Sequence, residues 1–209
     1  MIGLHAHVGS GILDPRSLVR AAERLAAAGH LVPSLRILDL GGGFGIPYRD
    51  EEPEFDLAGW ASGVTALLEH AEREGERPEE IWIEPGRWLV GPAGWLIAEV
   101  TCRKEAGGLV FIGLDTGMNH LLRPALYDAY HRIANLSAPD AAEEWVEVVG
   151  NICETTDVLA SNRPLPRPEE GHLLAFRDVG AYGFSMASAY NLWPLPKEIA
   201  LAGGRTVER

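Results

Sequence analysis

Apolar positions change period along this chain. From Gly3 to Val8 (GLHAHV) they alternate with polar ones, the signature of a strand covered on one face. Asp14 then suits an N-cap and Pro15 a first helical position. Leu18, Ala21, Ala22, Leu25 and Ala26 recur at helical spacing, and Gly29 closes that helix. Leu35–Leu40 predicts a second strand, which runs into the glycine-rich stretch Gly41–Gly45. An acidic loop covers Asp50–Asp56. A helix follows over Leu57–Arg73, with Trp60, Val64, Leu67 and Leu68 on its apolar side. Gly75–Glu80 reads as a polar connection, and Ile81–Ile83 as a third short strand that ends in the loop Glu84–Arg87.

Strand–helix–strand–helix–strand order predicts parallel strands with helices packed outside them. In such folds the chemistry gathers at the carboxyl ends of the strands. All three ends here deliver polar residues or glycines: His7 to Ser10, Gly41 to Gly43, and Glu84 to Arg87. After Arg87 the pattern changes. Trp95–Arg103 and Leu109–Leu114 read as strands joined by a glycine turn. Short β runs follow at Trp145–Val149, Asp157–Leu159 and Leu173–Val179, with no long helix among them. The expected fold is therefore α/β over residues 1–90, followed by an antiparallel β domain over residues 91–209. The first strand opens almost at Met1, and the run Gly203–Arg209 stops where another strand begins, so a chain cut at both ends is expected.

Composition narrows the function. The 209 residues carry a formal charge of −12, which argues against nucleic acid or an anionic membrane as the main partner. No apolar run reaches the about 18 residues of a membrane span, and no signal peptide is visible. Two cysteines, Cys102 and Cys153, suit a reducing cytoplasm better than a disulfide scaffold. The only lysines are Lys104 and Lys197.

The candidate chemistry starts at ILDLGGGFG, Ile37–Gly45. Consecutive glycines let backbone N–H groups converge on a phosphate; the bland alternative is a tight strand-to-helix turn. Neither the dinucleotide fingerprint nor the Walker pattern is met, which leaves a small phosphate ester. His5 and His7 share one strand face. A metal pair would need further His and Asp ligands at later strand ends, so packing is expected for one of them and stacking on a flat ligand for His7. Ser10 offers a hydroxyl to a phosphate or is a simple turn residue. Glu84 could pair with a protonated ring nitrogen, or with Arg87 in a structural salt bridge. Arg123, with Tyr127 four residues on, could grip a carboxylate; otherwise it is a solvated loop arginine. Cys153 precedes Glu154 in a loop between β segments, whereas Cys102 reads as a small buried hydrophobe. Tyr182 is bracketed by Gly180 and Gly183.

Together the strings GLHAHVGSGIL, LDLGGGFGIP, EPGRWLVGPAG, GMNHLLRPALYDAYH, GNICETTDVL and DVGAYGFSMASAYN resemble the fold-type III pyridoxal-phosphate decarboxylases. They look most like the branch acting on meso-diaminopimelate, and GSGILDP is similar to the decarboxylase half of fusions with aspartate kinase. The resemblance implies the last three strands of an eight-stranded barrel plus a β domain on the substrate and dimer side. It implies pyridoxal 5'-phosphate as cofactor, an amino acid as substrate, and a homodimer with sites at the interface. Under it, His7 stacks on the pyridine ring. Ser10, Gly42, Gly43 and the run Glu84, Pro85, Gly86, Arg87 approach the phosphate. Glu84 also protonates the ring nitrogen, and Tyr182 touches the cofactor. Arg87, Arg123, Tyr127, Glu154 and Tyr182 match substrate-binding positions, and Cys153 matches a proton donor that reaches into the partner subunit's site. The family's Schiff-base lysine has no counterpart here, so the 209-residue chain alone is expected to be inactive. GNICE also stands where the family more often has GPICE. A sister decarboxylase for ornithine or arginine and a non-catalytic homologue are the rival readings.

Overall fold

The computed structural model describes residues 1–75 and 78–208. The chain divides into two compact units, Met1–Pro92 and Ala93–Arg209. Of the expected polar connection Gly75–Glu80, Glu76 and Arg77 lie outside the described residues, as does Arg209 of the expected closing run.

The first unit alternates strand and helix: β1 (Gly3–His5), α1 (Pro15–Gly29), β2 (Ile37–Asp39), α2 (Leu57–Arg73), β3 (Glu80–Trp82) and the short α3 (Gly86–Val90). The strands form one parallel sheet in the order β1-β2-β3. Each is three residues long: β1 and β2 are shorter than the runs Gly3–Val8 and Leu35–Leu40, because the flanking residues turn into the strand-end loops, whereas β3 has the predicted length and starts one residue earlier. Asp14 caps α1 by accepting the Arg16 N–H, and Asp56 caps α2 by accepting the Gly59 N–H. Gly29 is the last residue of α1, where a Cβ would lie 2.8 Å from Leu35 Cδ2.

The core of this unit lies between the helices and the glycine loop. Leu18 and Ala22 of α1, Trp60 and Val64 of α2, and Phe44 and Phe55 are its buried members. Phe44 comes from the glycine loop itself. Its ring meets Phe55 and Trp60 edge-to-face, at centroid distances of 5.2 and 4.9 Å, pairs worth about 0.5–1.5 kcal/mol each beyond their burial. The loop is thereby nailed to both helices.

The second unit is a six-stranded sheet ordered β6-β9-β4-β5-β7-β8. In chain order these are β4 (Trp95–Ala106), β5 (Leu109–Leu114), β6 (Ile133–Asn135), β7 (Glu143–Val149), β8 (Val158–Pro166) and β9 (Leu173–Arg177). A terminal hairpin, β10 (Ile199–Ala202) with β11 (Arg205–Glu208), stands apart from it. Val100, Ile112, Leu114, Val148, Leu174 and Phe176 are sealed inside the sheet's core. Asn135 of β6 donates to the carbonyls of Pro166 and Arg167, at 3.0 and 3.2 Å, drawing the two edge strands together so that the sheet nearly closes.

Two expectations need correction. The domain is mixed rather than antiparallel: β5 and β7 pair in parallel. Residues 115–142 between them hold the five-residue helix α4 (Arg123–Tyr127) and β6, enough chain to carry β7 back in the direction of β5. Cys102 is exposed, not a buried hydrophobe. The register of β4 against β5 shifts between Val100 and Cys102, and this bulge breaks the alternation that would have turned Cys102 inward.

Candidate functional site

In the first unit the three strand-end loops meet at one place, and backbone packing brings them there. Ile12 N–H donates to Gly43 O at 2.8 Å and Gly45 N–H to Ile12 O at 2.9 Å, tying the loop after β1 to the glycine loop. Glu84 N–H donates to Gly41 O at 2.9 Å, tying in the loop after β3. The contacts are too close for side chains. A Cβ on Gly41 would lie 2.4 Å from Ala6 O, one on Gly42 2.2 Å from Glu84 O, and one on Gly43 2.5 Å from Gly9 O. Gly41 and Gly43 also have φ of +68° and +93°, which L-residues avoid. Convergence of three loops therefore accounts for the glycine run.

This packing sets the side chains around it. The Gly42 N–H donates to His7 Nδ1 at 3.3 Å and so orients the ring. Glu84 Oε2 lies 3.2 Å from His5 Nε2 and 3.9 Å from His7 Nδ1. His5 is thus an exposed partner of Glu84 rather than a core histidine: β1 is an edge strand of the sheet. Arg87 does not salt-bridge Glu84. It donates to Ser10 Oγ at 3.0 Å and to the Tyr48 hydroxyl at 2.6 Å. Trp88, next in sequence, packs against the core and anchors α3. Gly86 leaves open space where a Cβ would stand.

Two members of this cluster escaped the reading of the sequence. Asp39 accepts the Gly41 N–H at 2.9 Å, and its carboxylate lies with His5 and Glu84 within 4.8 Å. Three such ligands could hold a divalent ion, although Asp39 and Glu84 are engaged in internal hydrogen bonds here. Tyr48 steers Arg87. Asp39 adjoins the glycine run and was visible as a strand-end carboxylate; nothing in the sequence pairs Tyr48 with Arg87.

The second unit holds the other candidates. Arg123 opens α4 and is buried, so it is not a solvated loop arginine. Its guanidinium lies 2.7 Å from His131 Nε2. His131 Nδ1 is 2.9 Å from the Arg177 carbonyl, which can only accept, so the ring proton sits on Nδ1 and Nε2 accepts from Arg123. Tyr127, at the other end of α4, is exposed. Cys153 and Glu154 are exposed in the loop between β7 and β8, and Asp157 at the foot of that loop is buried. Burial pushes the Asp157 carboxyl above its ordinary range, against the opposing effect of backbone N–H bonds from Ile152 and Met118. Tyr182 takes a left-handed backbone, φ +60°, beside the tight approach of Gly94 to Gly180.

A family model described as the C-terminal sheet domain of pyridoxal-dependent decarboxylases matches residues 14–180. The chain belongs to the pyridoxal-dependent decarboxylase family. Diaminopimelate decarboxylase of Methanothermobacter thermautotrophicus is 42% identical over 211 residues, covering 98% of this chain and 49% of the relative. The crystal structure of diaminopimelate decarboxylase from M. jannaschii in complex with L-lysine superposes with a TM-score of 0.90 at 32% identity, covering 99% of this chain and 48% of that one. A lysine/ornithine decarboxylase from Vibrio vulnificus, complexed with cadaverine, is more distant, with a TM-score of 0.79 at 27% identity over 92% of this chain and 52% of that one. The chain spans about half the length of the curated relatives it matches.

The donor set of the first unit fits the cofactor that gives the family its name. Arg87 with Ser10 could offer a cation and a hydroxyl to a phosphate, and Gly86 has open space where a Cβ would stand. Glu84 has a carboxylate suited to a protonated pyridine nitrogen, beside the half-exposed ring of His7.

Proposed function

We propose that the whole protein containing this chain decarboxylates meso-2,6-diaminopimelate to L-lysine with pyridoxal 5'-phosphate. The convergence of His7, Glu84 and the Ser10–Arg87 pair around the glycine loop carries this reading, together with relatives of that activity. Bound cofactor supplies an electron sink for the pair left behind when CO2 departs.

The chain's residues do the rest. Glu84 holds a proton at the ring nitrogen, which deepens the sink. His7 stacks on the ring, its plane set by the Gly42 N–H. Arg87 and Ser10 hold the phosphate end, which the backbone at Gly42, Gly43, Pro85 and Gly86 approaches. Arg123, already buried and oriented by His131, offers the charge that holds a substrate carboxylate, with Tyr127, Glu154 and Tyr182 as further substrate contacts. Cys153 would give a proton to the substrate carbon that loses CO2, and would do so in the site of a second copy, making the enzyme a homodimer. Residues 1–90 serve as part of a cofactor-binding barrel and residues 91–209 as the substrate and dimer side. Among the described residues no helix is long and apolar enough to cross a membrane, and we place the enzyme in the cytoplasm. Neither Lys104 nor Lys197 falls in a motif matching the family's Schiff-base lysine, so the 209-residue chain by itself does not turn over.

The test is CO2 release by the complete protein from meso-diaminopimelate, L-ornithine and L-arginine. Turnover of meso-diaminopimelate alone is expected. Release only from ornithine or arginine overturns the substrate. Arg123→Leu is expected to lower kcat/KM for meso-diaminopimelate about 100-fold, the equivalent of about 2–3 kcal/mol for a lost charged contact.

A further inference from the structure

Because β5 and β7 run in parallel, the loops that follow them leave the sheet at the same end. One loop carries Thr116–His120 toward Arg123, and the other carries Asn151–Thr156 with Cys153 and Glu154. The Asp157 carboxylate joins them. Asp157 Oδ1 accepts the Met118 N–H at 2.6 Å, and Oδ2 accepts the Ile152 N–H at 2.7 Å. The fit around it is tight: a Cβ on Gly117 would lie 2.6 Å from one oxygen, and a Cβ on Gly150 2.3 Å from both. Further bonds brace the pair. Gly150 N–H donates to Asp157 O at 3.0 Å and Asp157 N–H to Glu154 O at 3.1 Å within the second loop. Between the loops, Asn151 Nδ2 donates to Asp115 O at 2.9 Å and Thr156 Oγ1 to Met118 Sδ at 3.6 Å. His120 and Leu121 N–H both donate to Gly117 O at 3.0 Å, carrying the turn on toward α4.

We propose that Asp157 is a positioning residue, bridging the Cys153–Glu154 loop to the Gly117–Met118 turn so that the thiol and the Arg123 segment are presented as one piece. The inference rests on the roles given above to Cys153 and Arg123. The four residues 153–156 are all exposed, and among the described residues no buried apolar side chain lies within that stretch to hold it. A buried carboxylate with two amide donors is the means by which an exposed loop can be held rigid. An ordinary turn aspartate would serve its own loop only, whereas this one spans two.

Asp157→Asn tests the bridge in the complete protein. The amide that replaces one oxygen can accept from only one of the two backbone donors. Hydrogen exchange is expected to accelerate at least about tenfold at whichever of Met118 and Ile152 loses its acceptor, and to rise less at the other as the two loops part. The alkylation rate of Cys153 is expected to change several-fold relative to Cys102, measured without cofactor. In kinetics, Asp157→Asn is expected to lower kcat about tenfold in the parent but less than about twofold in a Cys153→Ala background, since a positioning residue has little left to position there. Protection kept at both Met118 and Ile152, or losses that simply add, would overturn the proposal. Where Asp157→Asn does not fold, Gly117→Ala crowds the carboxylate while keeping its charge and should give the same paired acceleration. A complete protein that ignores meso-diaminopimelate would sink the proposed function, while exchange and alkylation would still decide the bridge.

Discussion

The two units organise polar chemistry in opposite ways. In the first, side chains stand half in the open and the backbone beneath them is rigid. Gly41, Gly42 and Gly43 abut the carbonyls of Ala6, Glu84 and Gly9, and Phe44 roots the loop among Phe55 and Trp60. In the second, Cys153, Glu154 and Tyr127 are exposed, but the groups that hold their segments are buried and polar: Asp157, His131 and Arg123. A site can therefore be fixed by steric convergence of main chain or by satisfied buried polar groups. The first device stabilises the fold through apolar burial. The second spends stability, since a buried ion must be desolvated before its hydrogen bonds return anything.

The contrast can be broken by mutation. Phe44→Ala removes the apolar root of the glycine loop and is expected to destabilise the first unit by about 3–5 kcal/mol. Hydrogen exchange should report it in the loops after β1, β2 and β3 and leave β4–β9 protected; equal loss in both units would refute the division of labour. A smaller effect is expected at a cap. Asp56→Ala deletes the acceptor for the Gly59 N–H, 2.8 Å away, at a cost of about 1 kcal/mol in thermal unfolding.

The smallest effect sharpens the other side. Asp157 titrates above its unfolded value of 3.8. Its folded form binds a proton more readily than its unfolded form, so its contribution to stability is fully present below 3.8 and is lost as pH rises through the folded value. The melting temperature of the parent should therefore fall relative to that of Asp157→Asn as pH is raised from below 3.8 through the weakly acidic range. A gap that widens in favour of the parent would show that the carboxylate is a net stabiliser, contrary to the contrast drawn here.

The limits of α1 and α2 were legible almost to the residue, because Asp14 and Pro15 announce the first start and the apolar spacing runs to Gly29 in one and from Leu57 to Arg73 in the other; the five-residue α3 and α4 are too short to show such spacing. Strand limits were less so: three-residue strands carry too little periodicity to separate from their loops. The convergence of three strand ends could be expected from alternation alone. The partner of Arg87 could not, because Tyr48 and Ser10 lie 39 and 77 residues away in sequence. The bulge that exposes Cys102 and the parallel return of β7 also leave no local trace.

What the sequence determined by itself is the order of elements, the apolar faces of the helices and the motifs that mark the family, all carried by neighbours a few residues apart. Tertiary structure alone decided which carboxylate holds which loop. Asp157 and Met118 are 39 residues apart and meet only because two strands run side by side in the same direction. Hydrogen-bond partners at such separations depend on strand register and on the direction of return, which no local pattern of side chains encodes.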